Sequence, residues 1–274
     1  MSASASSPSG RLRTRLRLRQ RWRSPVAIKH DEELAWWVDH WNPPLVDPGL
    51  VPADDLELLG GEAPAPAYAG RRRQIARAAV LRVLREAGIH DHTFFDNKVV
   101  VDVGPGALGF PDACPARVSI GVEPLAHRFA AAGLLLADSR ALYLAARAEA
   151  IPLLSGSVDV VVARNSLDHV DDPEAAVAEA RRLLRPGGTL ILNFDVDHTP
   201  TPTEPHALDA DVVRSWLRPM TIVRDAAWPH SHGRDGHAVV LVARQTVAAA
   251  GASAATRAGT RSAAAARRSG PGQR

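Results

Sequence analysis

The residues best placed to do chemistry are a glycine-rich turn and the two acids that frame it. The apolar run Val99 to Val103 leads into Gly104-Pro105-Gly106, and Asp102 stands just before the turn. Gly104 and Gly106 carry no Cβ, so the backbone there can pass close to a ligand. Twenty-one residues after Asp102, a second apolar run, Val118 to Val122, ends in Glu123. A carboxylate at that strand end can take both hydroxyls of a ribose. Strand, glycine turn, strand, acid is a nucleoside-binding arrangement. Gly104, Gly106 and Gly109 also match the G-x-G-x-x-G spacing of dinucleotide sites, a match that does not by itself identify the nucleoside.

Two histidine-bearing segments follow. His169, in Leu167-Asp-His-Val170, comes soon after the apolar run Val158 to Ala163. It is a candidate general base with Asp168 or Asp171 to orient it, and a structural role beneath the site is the alternative. The loop from Asp195 to His206 holds Asp195, Asp197, His198, Glu204 and His206 with three prolines, and reads as a shaped lid. Glu204 and His206 are candidates for substrate contact or base. Two imidazoles and three carboxylates are donors a divalent ion accepts. Their spacing matches no metal motif, so no metal is assigned. His230, His232 and His237 fall in the closing hairpin and read as solvated.

The elements that must position these groups alternate from residue 98 onward. Strands are predicted at 98–103, 117–122, 142–145, 158–163 and 189–194, with helices at 125–136, 173–184 and 209–217. Single helices between strands imply right-handed crossovers and a parallel sheet. A final pair, 220–226 and 238–243, is joined by too short a loop for a crossover, so one of its strands runs antiparallel. The expected fold is α/β: a Rossmann-like, doubly wound, seven-stranded sheet, mostly parallel with one antiparallel strand, plus an N-terminal helical cap. Residues 26–96 form that cap. Asp31 is read as the N-cap of a helix Glu32 to Trp41, whose Leu34, Trp37, Val38 and Trp41 share a face. A proline-bearing link (60–70) leads to a second helix at 71–87, ended by Gly88. Residues 97–245 form the nucleoside-binding domain.

Composition bounds the rest. The 274 residues, 46% hydrophobic, suffice for one sizeable core. Residues 1–25 hold seven arginines and residues 246–274 hold five, neither stretch with an acid. These tails carry +12 of a net +3, which leaves −9 for residues 26–245. Both tails read as disordered, the first with an anionic-surface or RNA contact as its alternative. An acidic folded part argues against nucleic-acid substrates. The single Cys114 excludes an internal disulfide and fits a cytoplasmic location, and no apolar run is long enough to span a bilayer. Oligomeric state is left open.

In this order the motifs resemble those of the class I S-adenosylmethionine-dependent methyltransferases, in particular the methyltransferase type 11 group. Val101-Asp-Val-Gly-Pro-Gly106 is similar to that family's first motif and Gly121-Val-Glu-Pro124 to its second. Ala148-Glu-Ala-Ile-Pro-Leu153 is similar to the segment beside the adenine, and Ser157 to Pro173 to the fourth strand and its exit. Leu183-Leu-Arg-Pro-Gly-Gly-Thr-Leu-Ile191 is the most specific match.

The resemblance implies S-adenosyl-L-methionine as cofactor. Gly104, Pro105 and Gly106 would face its methionine part, Asp102 its ammonium group and Glu123 its ribose hydroxyls. Pro124 would shape the adenine slot, and Ala148 and Glu149 would border the adenine through backbone. Asn165, with Ser166, would flank the sulfonium. The sequence departs from the family at Leu108, where a third glycine is common, and at Arg147, where an acid is. The implied function is methyl transfer to a small-molecule acceptor, an O-methylation of a sugar or secondary metabolite. Its rivals are a nicotinamide-dependent oxidoreductase and a non-catalytic, methyltransferase-like binding protein. The oxidoreductase would want a catalytic Tyr/Lys pair, and neither Tyr68 nor Tyr143 has a lysine three or four residues on.

Overall fold

The computed structural model describes residues 25–41, 51, 53–107, 109–136, 138–229 and 236–247. The expected tails lie outside these residues apart from Pro25, Thr246 and Val247, as do Leu108, His230 and His232. Three helices, α1 (Pro25–Trp41), α2 (Ala53–Leu58) and α3 (Tyr68–Glu86), precede the first strand. Then come β1 (Val99–Val103), α4 (Phe110–Ala113), β2 (Val118–Val122), α5 (Ala126–Ala131), β3 (Leu142–Leu144), β4 (Val158–Arg164) and α6 (Pro173–Leu183). The chain closes with β5 (Leu184–Val196), α7 (Ala210–Trp216), β6 (Thr221–Pro229) and β7 (His237–Arg244).

The seven strands form one sheet in the order β3-β2-β1-β4-β5-β7-β6. Neighbours from β3 through β5 are parallel, and β7 runs antiparallel to both β5 and β6. The antiparallel strand is therefore β7. β1 lies between β2 and β4, so the chain winds outward from it in both directions, and the order reverses between β1 and β4. Open α/β sheets bind ligands at the carboxyl ends beside such a reversal.

Period-two alternation sorts the core. Val101, Val103, Val161, Ala163, Leu190, Leu192 and Leu241 point to one face and pack with Val177, Leu183 and Val213 of α6 and α7. Val100, Val160, Val162, Ile191, Val240 and Val242 point to the other and pack with Val80, Val83 and Leu84 of α3. Both faces of the sheet are covered, which is why its central strands are continuous valine runs. The boundary near residue 96 thus divides helices from strands along the sequence but not in space, because α3 is one of the sheet's covering helices.

Local signals explain several helix ends. The Asp172 side chain accepts from Ala175 N at 3.0 Å, with Pro173 at the first turn, and Arg181 and Arg182 complement the dipole at the far end. The Asp209 side chain caps α7 through the amides of Asp211 and Val212. α1 differs from its expected start: it begins at Pro25, a residue whose fixed φ suits a first turn. Asp31 is inside the helix and pairs with Arg128 of α5 at 2.7 Å instead of capping. α5 is also shorter than its expected span, ending at Ala131 before Gly133, whose φ is +69°.

Phe194 is fully buried in the layer between the sheet and α6/α7. Phe194→Ala is expected to cost about 3–5 kcal/mol in urea unfolding. Leu154→Ala, at a side chain 81% exposed, is expected to stay within about 0.5 kcal/mol of the parent.

Candidate functional site

A cavity of about 580 Å³ opens where β1, β2 and β4 end. That is within the range of small-molecule sites, about 300–1,000 Å³. The ends of β1 and β2 are joined by a bond from Gly104 N to Val122 O (2.9 Å), and the ends of β1 and β4 by one from Ser166 Oγ to Val103 O (2.7 Å). A Cβ on Gly104 would lie 2.5 Å from Ser166 Cβ, and one on Gly106 would collide with the Trp37 ring. Both glycines have positive φ, +70° and +56°. The turn is therefore closed to any side chain on two independent grounds, conformation and space.

Helix α1 forms the opposite wall. Trp37 packs edge-on to Phe129 of α5 with ring centroids 5.9 Å apart. Lys29 Nζ donates to the His169 carbonyl oxygen, and the Asp31–Arg128 pair adds a third tie. Lys29, Glu33, Trp36 and Trp37 thereby reach the cavity. The sequence reading placed Trp37 on a face with Leu34, Val38 and Trp41 but singled out neither Trp36 nor Lys29 and Glu33, because no periodicity marks a charged residue as cavity-facing.

The two framing acids are buried: Asp102 is 4% exposed and Glu123 3%. Burial pushes the Asp102 carboxyl up to about 7, Arg164 opposing and Glu123 adding. Burial likewise pushes Glu123 up to about 7, with Glu33 adding and the amides of Leu125 and Gly106 opposing. Glu123 Oε1 accepts from Leu125 N at 2.9 Å and Oε2 from Gly106 N at 3.2 Å. Each oxygen keeps acceptor capacity toward the cavity. The carboxylate thus holds the glycine turn in place and remains able to bind a ligand's hydroxyls.

The other expected cofactor residues, Gly104, Pro105, Gly106, Pro124, Ala148, Glu149 and Asn165, all line this cavity. Ala148 is buried, while Asn165 is exposed and held at φ +48° just past β4. The Glu149 side chain is committed elsewhere: Oε1 accepts from the amides of Asp171 (2.8 Å) and Asp172 (3.0 Å), and Oε2 from Arg147 (3.3 Å). Only its backbone and its edge are left for a ligand. Arg147, where the family commonly has an acid, bridges Glu149 and Asp171 (2.8 Å) at the rim.

The candidate acid–base residues separate. His169 and Glu204 line the cavity, with His169 Nε2 3.8 Å from Glu204 Oε1 and 3.9 Å from Asp168 Oδ1. Asp168 is 1% exposed, and burial raises its pKa against the pull of His169. His206 does not join them: its Nε2 donates to the Val170 carbonyl at 2.9 Å and it is not part of the cavity wall. The Asp195-to-His206 segment divides as well, since β5 extends through Val196 and leaves Asp195 buried within the strand. His237 lies 3.6 Å from Asp197 and is half-exposed, away from the cavity.

With this geometry in view, similarity to known proteins becomes informative. Residues 101–192 match the family model described as a methyltransferase domain. An uncharacterized methyltransferase of Mycobacterium ulcerans (strain Agy99) is 36% identical over 101 residues, 36% of this chain and 40% of that protein. One from Mycobacterium sp. (strain JLS) is 37% identical over 102 residues, 36% of this chain and 39% of that protein. The chain thus spans about 40% of the length of the curated relatives it matches. Among solved structures, the N-methyltransferase NodS from Bradyrhizobium japonicum WM9 superposes with a TM-score of 0.50 at 14% identity, covering 63% of this chain and 97% of that one. That likeness is one of fold. No helix among the described residues is long and apolar enough to cross a membrane.

The two raised carboxyls give a pH signature. In the ligand-free fold each keeps its proton up to about pH 7, whereas the unfolded chain gives it up near pH 4. The folded state binds more protons between those limits, so this contribution to stability is full at low pH and is lost as pH rises through about 7. The melting temperature is expected to fall from about pH 5.5 to about pH 8, and Asp102→Asn should flatten that slope in a calorimetric series.

Proposed function

We propose that this chain, whose residues 101–192 belong to the S-adenosylmethionine-dependent methyltransferases, methylates a hydroxyl of a small-molecule acceptor, such as a sugar or secondary metabolite. The observation that carries this reading is the composition of one cavity. A glycine turn and two buried acids form one side of it, and an imidazole flanked by carboxylates forms the other.

The residues present fit S-adenosyl-L-methionine. Gly104 and Gly106 admit no side chain, so the turn after β1 presents bare backbone at the cavity. The Asp102 carboxyl, costly to ionise where it stands, would be drawn into its charged form by the ligand's ammonium group. Glu123 would accept from the ribose hydroxyls with its spare lone pairs, Pro124 and Ala148 would flank the adenine, and Asn165 would lie near the sulfonium. When bound, the cofactor supplies an electrophilic methyl carbon.

The chain's own task is to aim the acceptor at that carbon and to manage its proton. A base is needed for a hydroxyl acceptor more than for an amine, and the imidazole–carboxylate group on the cavity wall supports the hydroxyl. His169 would meet the acceptor's proton, with Asp168 and Glu204 stabilising the charge that develops. Trp36 and Trp37 on α1 offer flat apolar surface to an amphipathic acceptor. The net −9 of residues 26–245 supports a small molecule over a nucleic acid.

Calorimetric titration with S-adenosylmethionine, S-adenosylhomocysteine and NADH tests the cofactor. The two sulfur nucleosides are expected to bind and NADH not to, with Glu123→Ala reducing the affinity at least about 10-fold. Binding of NADH alone would overturn the reading. In a screen of hydroxylated acceptors followed by S-adenosylhomocysteine release, His169→Gln is expected to lower kcat by about 100-fold or more while leaving cofactor affinity within a few-fold.

A further inference from the structure

Three side chains beside one end of the cavity, Asp168, His169 and Glu204, have the donor types and spacing of a cation site, and a fourth, His198, stands next to Asp168. Asp168 follows the end of β4, is 1% exposed, and its Oδ1 is shut off from solvent without a hydrogen-bond partner. One donor atom each from Asp168, His169 and Glu204 lies within 4.8 Å of the others. His198 comes in from the loop after β5 and places Nε2 3.6 Å from Asp168 Oδ2. That nitrogen is also buried and without a hydrogen-bond partner.

Within that set of three, the separations of 3.8 and 3.9 Å are too long for hydrogen bonds. They are close to what one shared ion imposes: with bonds of about 2.1 Å, tetrahedral ligand atoms stand about 3.4 Å apart. The tautomers suit the purpose too. His198 Nδ1 faces the Thr199 carbonyl at 3.3 Å, and donation there leaves the Nε2 lone pair aimed at Asp168. Glu204 is set by a turn in which its amide donates to Thr201 Oγ1 (3.0 Å) and its carbonyl accepts from Thr201 N (2.9 Å).

We infer that Asp168, His169 and Glu204 bind a divalent first-row cation, Zn²⁺ or Mn²⁺, beside the cavity, with His198 set against the second oxygen of Asp168. The imidazole of His169 favours such an ion over Mg²⁺ or Ca²⁺, which prefer all-oxygen ligand sets. The two carboxylates would balance its charge. Spacing along the chain gave no metal motif because the ligands come from separate loops, two after β4 and one after β5. The inference rests on the methyl-transfer reading only for its purpose: with His169 a ligand, the ion in place of the free imidazole would hold an acceptor oxygen at the cavity wall and ease its ionisation.

The test is titration of the chelator-stripped full chain with ZnCl₂, MnCl₂ and MgCl₂, beside Asp168→Asn, His198→Gln and the part-exposed Glu204→Gln. Circular dichroism follows each fold, and S-adenosylmethionine is titrated separately. Expected is one equivalent of Zn²⁺ or Mn²⁺, bound at least about 10-fold tighter than Mg²⁺ and weakened about 10-fold or more in every variant that keeps its fold. Absence of Zn²⁺ and Mn²⁺ binding, or binding unchanged in Glu204→Gln, would overturn it. Cation binding without S-adenosylmethionine binding would keep the site and sink the methyl-transfer reading. S-adenosylmethionine binding without cation binding would do the reverse.

Discussion

Two carboxylates, Asp102 and Glu123, are held at adjacent parallel strand ends with almost no access to water, and the rest of the molecule is arranged around keeping them there. Burial makes their charged forms costly, which is why both retain protons to about pH 7. Glu123 offsets part of that cost by accepting the amides of Gly106 and Leu125. Those bonds in turn fix the glycine turn and the start of α5. The acids therefore serve as braces for the backbone as well as groups poised for a cation and for hydroxyls.

The sheet supplies the address. Because β1 is flanked by β2 on one side and β4 on the other, the loops leaving β1 and β4 diverge and leave a crevice. Helix α1 closes it. Its attachment relies on side chains reaching far along the sequence: Trp37 to Gly106 and Phe129, Asp31 to Arg128, Lys29 to the carbonyl of His169. A helix that touches the glycine turn and the loop after β4 at once couples the cofactor end of the cavity to the acceptor end. Movement of α1 would change both.

At the acceptor end the constraint is electrostatic. Asp168 is as buried as Asp102, yet it faces two imidazoles across gaps too wide for hydrogen bonds. Buried polar atoms left in such gaps carry a desolvation cost of about 1–3 kcal/mol each. A fold tolerates that cost when a ligand regularly repays it. Both ends of the cavity therefore hold buried carboxyl groups whose charged forms are costly.

The strand–helix alternation, the antiparallel closing pair and the cavity-lining residues from Asp102 to Asn165 were legible in the sequence, because they depend on local signals. Valine runs mark buried parallel strands, glycines mark backbone that no side chain can adopt, and an acid after an apolar run marks a strand end. The start of α1 was misplaced because Asp31 has the type of a capping residue, and only its partner, Arg128, shows that it is an interior ion pair. His206 and His198 look alike in the same loop, yet one is spent on the Val170 carbonyl and the other faces Asp168. Sequence determined the sheet and the turn, since backbone geometry and hydrophobic period are properties of neighbouring residues. The tertiary structure alone decided which charged side chains meet, since that depends on how loops after different strands fall together in space.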